Sequence, residues 1–182
     1  VTSDSGEKEK DKDLLELYCG GGTFTTALAK NFRKVLATEL SKASVELAQH
    51  AITANNMSNI KVVPLTSEQF TEWYEGGDDA SKVNYKVMKI AQKAQISVND
   101  YNIDTVLVDP PRNGLDNETC ALLSKFNNIV YISCKPETQV RDIKKLRKTH
   151  EVVKVAAFDQ FPYTEHLEGG VYLKKRDVPL EE

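Results

Sequence analysis

A chain of 182 residues has room for one domain with a real core, but not for two of full size. Its 40% hydrophobic and 28% charged residues fit a soluble globular fold, and no apolar run is long enough to span a bilayer. The net charge of −3 advertises no global field for a polyanion, so any nucleic acid would need a local patch or a further domain.

The elements alternate along the chain. Val1–Asp13 reads as a solvated, lysine- and acid-rich tail and not as a secretory signal. Residues 14–182 form the domain proper. Leu14–Tyr18 is a short apolar strand, ended by Cys19-Gly20-Gly21-Gly22. Thr23 is placed to cap a helix over Phe24–Phe32, with Phe24, Ala27 and Leu28 on its buried face. Val35–Glu39 is a second strand, and Ser41 caps a helix with Val45, Ala48 and Ile52 as its stripe. Lys61–Leu65 is a third strand, followed by a helix over Glu68–Tyr74. Residues 75–102 break this rhythm and read as a lysine-rich insertion, helical over Ala80–Gln95. Asp104–Val108 is a fourth strand, Asp116 caps a helix over Asn117–Phe126, and Asn128–Ser133 is a fifth strand. A basic helix over Glu137–Thr149 precedes two closing strands, Val152–Phe158 and Gly170–Lys174. Alternation of this kind predicts an α/β fold whose sheet is mostly parallel. No helix separates the last two strands, so the final one is expected to run antiparallel.

Three features carry candidate chemistry. The strand–glycine–helix turn removes Cβ atoms at Gly20 and Gly22, where a ligand could approach the backbone. Glu39 ends the next strand, where an acid can accept from ribose hydroxyls; it reads equally well as an ordinary strand-end acid. The phosphate fingerprint GxGxxG is absent because Thr25 stands at its last position. A cofactor with a ribose but no phosphate, such as S-adenosylmethionine, therefore fits better than a dinucleotide. Asp109-Pro110-Pro111-Arg112 puts an acid at a strand end followed by a rigid turn. There Asp109 could face a sulfonium or an amine, and Arg112 could hold a phosphate or pair with an acid.

Cys134 follows the apolar run Ile129–Ile132, and Pro136 forces a turn two residues later. The thiol would then sit at the carboxyl end of a strand, where α/β sheets bind ligands. Taken alone, such a cysteine is more often a small buried hydrophobe. The other cysteines, Cys19 and Cys120, are far from it in sequence, and no CxxC pair exists. No metal site and a reducing, cytoplasmic setting are expected. The loop from Asp159 to Gly170 mixes aromatics, His166, Glu165 and Glu168. Glu168 is well placed just before the last strand, Glu165 is the solvated acid, and Phe161 or Tyr163 could stack on a base.

Together these stretches resemble the tRNA (uracil-5-)-methyltransferase family. The matching pieces are LLELYCGGGTF (14–24), ATEL (37–40), VDPPRNGLD (108–116), YISCKPET (131–138) and FDQFPYTEHLEGGV (158–171), in the family's order. Lys135 and Thr23 depart from it, since asparagine is usual at both places. The resemblance implies a Rossmann-like class I S-adenosylmethionine-dependent methyltransferase fold. It implies Cys134 as nucleophile, Glu168 as general base, and Tyr18, Thr23, Glu39 and Asp109 as cofactor contacts. It also implies RNA as substrate, most directly the T-loop uridine of tRNA, and an RNA-binding region preceding Val1. The chain is expected to be a monomer with no membrane contact. Ribosomal RNA as substrate, methylation of an exocyclic amine at Asp109-Pro110-Pro111, and a non-catalytic RNA-binding module are the competing readings.

Overall fold

The computed structural model describes residues 11–160 and 162–180. The chain forms two compact units, one ending at Asp104 and the other starting at Thr105.

The first unit carries β1 (Asp13–Leu17), α1 (Thr23–Leu28), β2 (Val35–Thr38), α2 (Lys42–Ala54), β3 (Ile60–Val63), α3 (Ser67–Gly76) and α4 (Tyr85–Ala94). β2 lies between β1 and β3 and is parallel to both. Every residue of β1 and β2 is buried, which is why neither alternates apolar with polar residues, and the two acids of β1, Asp13 and Glu16, are buried with the rest. Two helices start where side chains satisfy the first free N–H groups. The Ser41 hydroxyl accepts from Ser44 N ahead of α2, and Thr66 and Gln69 form a reciprocal capping box ahead of α3. Within 75–102, α4 is shorter than the expected Ala80–Gln95, because the Asn84 side chain caps its start and Gln95 turns left-handed at its end. Val87, Met88 and Ala91 bury one face of α4, and Lys86, Lys89 and Lys93 remain exposed.

Three expectations fail here. Asp13 does not belong to a tail: it opens β1 fully buried, with Arg33 forked onto its carboxylate at 3.0 and 2.6 Å and the Lys34 and Asn102 amides donating to it. Residues 1–10 of the proposed tail lie outside the described residues. The buried face of α1 is also not Phe24, Ala27 and Leu28. Phe24 and Ala27 are exposed, and Thr25 turns inward because its hydroxyl donates to buried Glu16 at 2.6 Å. Thr23 is the first residue of α1 and not its cap; Gly22 holds the cap position.

The second unit carries β4 (Ile103–Val108) from Thr105 onward, α5 (Asn117–Leu123), β5 (Asn128–Ser133), α6 (Pro136–Leu146), β6 (His150–Phe158) and β7 (Glu168–Lys175). β4 and β5 are parallel. β7 runs antiparallel to both β5 and β6 and lies between them. The last strand is thus antiparallel, as expected. Beyond His150 every residue of β6 is exposed.

Asp142 on α6 organises this unit from a fully buried position. Its carboxylate accepts from Leu115 N at 2.8 Å and from the Tyr131 hydroxyl at 2.9 Å, and Arg141 and Lys145 pair with it at 2.9 and 3.5 Å. Arg141 also donates to the carbonyls of Asn113 and Leu115, so the loop after β4 is tied to α6. Asp142→Ala leaves a buried hydroxyl and a buried amide without their acceptor. It should cost about 3–5 kcal/mol of unfolding free energy, measured by urea titration. A loss under about 1 kcal/mol would show that solvent or neighbouring groups take over.

Candidate active site

In the first unit, parallel pairing sets Leu17 beside Thr38, so Tyr18 and Glu39 leave the ends of adjacent strands. Tyr18 has a left-handed backbone, φ 62°, which is uncommon for a bulky residue and turns the chain into the glycine loop. Its hydroxyl donates to Ser67 Oγ at 2.7 Å. Gly20 also has positive φ, its N–H donates to Glu39 Oε2 at 3.0 Å, and a Cβ built on it would meet nothing within 4 Å. There is therefore open space beside Gly20. Gly22 serves a different purpose: a Cβ there would lie 3.0 Å from that of Ala48, so its bare backbone lets α1 approach α2. Glu39 Oε1 accepts from Ser41 N at 2.7 Å. One bond to each oxygen leaves further acceptor capacity on that carboxylate for a diol.

In the second unit, the β5–β7 ladder ends with Ser133 paired to Gly169. Cys134 and Glu168 flank that last pair on neighbouring strands. Glu168 is the first residue of β7 and half-buried, whereas Glu165 is exposed. Asp109 follows β4, and its carboxyl is pushed up from 3.8 to about 6, first by burial and then by the charge of Glu168. Two carboxyl groups at close quarters are a poor arrangement for an empty site and a good one for a cationic group. Arg112 Nη2 lies 3.4 Å from His166 Nε2.

The three cysteines separate by environment. Burial, with the charges of Glu16 and Glu39, pushes the Cys19 thiol up to about 12. Burial, with the charge of Asp142, pushes Cys120 up to about 11. Both are buried, while Cys134 is half-exposed. Exposure therefore singles out Cys134 as the thiol open to a substrate.

Arg141 of α6 is committed to Asp142 and to two carbonyls. Tyr163 is fully exposed and stacks on no described ring, and Phe161 lies outside the described residues. An apolar groove of about 440 Å³ lies between α6 and the β6–β7 hairpin, lined by Val140, Ile143, Val155 and Leu167 among others. It includes neither Cys134 nor Glu168 and offers no acid for a ribose or a sulfonium, so it is not the cofactor site. Ser67, Gln139 and Asp142, which hold site residues or the segments around them, were not singled out from the sequence. Among the described residues, no cluster of three metal-ligating side chains exists and no helix is long and apolar enough to cross a membrane.

A family model described as tRNA (Uracil-5-)-methyltransferase matches residues 4–176. The chain belongs to this family. The tRNA/tmRNA (uracil-C(5))-methyltransferase of Pseudoalteromonas translucida is 48% identical over 171 residues, covering 94% of this chain and 44% of its own length. That of Neisseria meningitidis serogroup C is 51% identical over 166 residues, covering 91% of this chain and 43% of its own. The chain thus spans less than half the length of the curated relatives it matches. Among solved structures, the Pyrococcus abyssi tRNA (uracil-54, C5)-methyltransferase in complex with S-adenosyl-L-homocysteine superposes with a TM-score of 0.64 at 29% identity, covering 89% of this chain and 34% of that one. An rRNA methylase from Streptococcus thermophilus has a TM-score of 0.63 at 9% identity, over 92% of this chain and 88% of that one, a likeness of fold alone. The fold is the Rossmann-like α/β fold of class I methyltransferases.

Two measurements check this site. Iodoacetamide on the folded protein should label Cys134 first, with Cys19 and Cys120 reacting only on unfolding, as read by peptide mass mapping. Equal labelling of all three would contradict the burial described above. Asp109 gives a pH signature. Its folded-state pKa lies above the ordinary value, so the stability it lends is complete below 3.8 and is lost as pH rises towards about 6. Asp109→Asn should therefore raise thermal stability at about pH 8 and change it little at about pH 4. A loss of stability at the higher pH would contradict the assignment.

Proposed function

We propose that the protein transfers a methyl group from S-adenosylmethionine to C5 of a uridine in RNA, the T-loop uridine of tRNA, through a covalent bond between Cys134 and C6 of the base. Family membership supports the reaction class. The observation that carries the residue roles is the end of the β5–β7 ladder, where the only half-exposed cysteine and a half-buried carboxylate flank one terminal pair.

C5 of uracil is a weak nucleophile. The Cys134 thiolate adds to C6, and the electron pair of the C5–C6 bond moves to C5 and the O4 enolate. S-adenosylmethionine, when bound, supplies an electrophilic methyl group on a sulfonium. C5 would take that methyl as the sulfur–methyl bond breaks and its electron pair stays on sulfur, leaving the neutral thioether S-adenosylhomocysteine, and Glu168 then removes the proton left on C5. The freed electron pair restores the C5–C6 double bond and expels the Cys134 thiolate, so the enzyme returns unchanged. Tyr18, Gly20, Thr23 and Glu39 would hold the cofactor, the Glu39 carboxylate having acceptor capacity for a ribose diol and Gly20 leaving open space beside it. Gly22 contributes by closing the turn. Asp109, beside Glu168, favours the cationic end of the cofactor, and binding that cation would draw its pKa back down. The target base must leave its stack to reach Cys134.

The test is methylation of an unmodified tRNA transcript, with the product nucleoside identified by mass. Cys134→Ala should remove activity by at least about 10⁴-fold, because no other group on the ladder end can add to C6. Full activity in that variant would select methylation of an amine at Asp109-Pro110-Pro111 instead.

A further inference from the structure

Gln139 sits on α6, almost fully buried, and its side-chain amide spans two strands. Nε2 donates to the carbonyl of Tyr131 on β5 at 2.9 Å and to the carbonyl of Gly169 on β7 at 3.1 Å. Gly169 is the residue after Glu168 and the partner of Ser133, which precedes Cys134. On the other side, a Cβ built on Gly169 would lie 2.5 Å from Gln139 Oε1, so the amide lies directly against the glycine backbone. One side chain therefore bolts across the last three pairs of the ladder that leads to Cys134 and Glu168, from Tyr131 to Gly169.

We propose that Gln139 is a positioning residue for the base step: by holding the Ser133–Gly169 end of the ladder closed, it keeps Glu168 in reach of the proton on C5. The proposal rests on the function given above. The end of a ladder is where strands open most readily, because the terminal pair has a neighbour on one side only. The nucleophile stands on the β5 side of the opening, followed at once by Pro136 and α6, which hold it independently of β7. Glu168 begins β7 and pairs with Phe158 of β6, but β6 is exposed beyond His150 and the connection 159–167 is exposed at each of its described residues, so the end of this hairpin moves with Glu168 and does not fix it as α6 fixes Cys134. Loss of the bolt should therefore disturb the carboxylate more than the thiol. Addition of Cys134 to C6 and methylation of C5 would continue. Removal of the C5 proton, and with it the expulsion of the thiolate, would slow.

This gives a signature that a general loss of structure cannot mimic. Gln139→Leu, close in size but without the amide, should lower turnover about ten- to hundredfold. It should at the same time accumulate methylated RNA bound to protein, seen as a slow-migrating band on a denaturing gel with methyl-labelled S-adenosylmethionine and unmodified tRNA. Glu168→Gln, run beside it in the protein at its natural full length, should accumulate the same species. Gly169→Ala approaches the bolt from the other side, since its methyl must displace Gln139 Oε1, and should reproduce the phenotype with Gln139 still present. Adding Gln139→Ala makes room for that methyl, so the double variant should be no worse than Gln139→Ala alone. Accumulation with Glu168→Gln but not with Gln139→Leu or Gly169→Ala overturns the inference and leaves the proposed function standing. Accumulation with none of them overturns both.

Discussion

One reversal of chain direction underlies the site of the second unit. β5 is parallel to β4, so Asp109 and Cys134 both leave carboxyl ends of strands. A further parallel strand would bring only another carboxyl end to that edge. β7 runs the other way, so its first residue stands where β5 finishes. This is how a carboxylate from a distant stretch, Glu168, comes to flank the same ladder pair as Cys134. The pairing of Tyr131 with Val171, Ile132 with Gly170 and Ser133 with Gly169 is thus the constraint from which the reacting geometry follows. A slip of one residue in that register would move Glu168 to the other face.

Electrostatics at that edge work against stability and in favour of a ligand. Burial, and then the charge of Glu168, raise the cost of ionising Asp109. The rest of the unit shows the opposite treatment. Asp142, more deeply buried, has two cationic partners, an amide and a hydroxyl. A chain that satisfies one buried acid so fully and holds another, Asp109, at a raised pKa has a position that gains from a positively charged visitor. The cysteines follow the same division, with two held as buried thiols and one left open.

Most of the architecture was legible in the sequence because it rests on periodicity and punctuation. The limits of β5 follow from an apolar run bounded by Asn128 and a turn before Pro136, and Ser41 and Asp116 cap the helices they precede. What was not legible depends on buried polar pairs, which have no period. Thr25 turns α1 because Glu16 lies beneath it, and Asp13 joins β1 because Arg33 returns to meet it. Gly22 read as a ligand cradle, yet the position of Ala48 explains it. Gln139 and Asp142 sit in a helix whose visible feature is its basic residues, and their importance appears only when the carbonyls and amides they serve are located. The candidate pair itself, Cys134 with Glu168, came from resemblance; the strand register then supplied a physical reason for the two to lie together.

The central claim is a bond between the sulfur of Cys134 and a pyrimidine ring. It is tested most directly with RNA carrying 5-fluorouridine at the target position. Fluorine at C5 cannot leave as a proton does, so the sequence of steps should halt with the base still attached. Digestion and mass mapping after incubation with S-adenosylmethionine should find the methylated, fluorinated nucleotide on the peptide that contains Cys134. Attachment at another residue, or methylation of normal RNA with no attachment to the fluorinated one, would contradict the account.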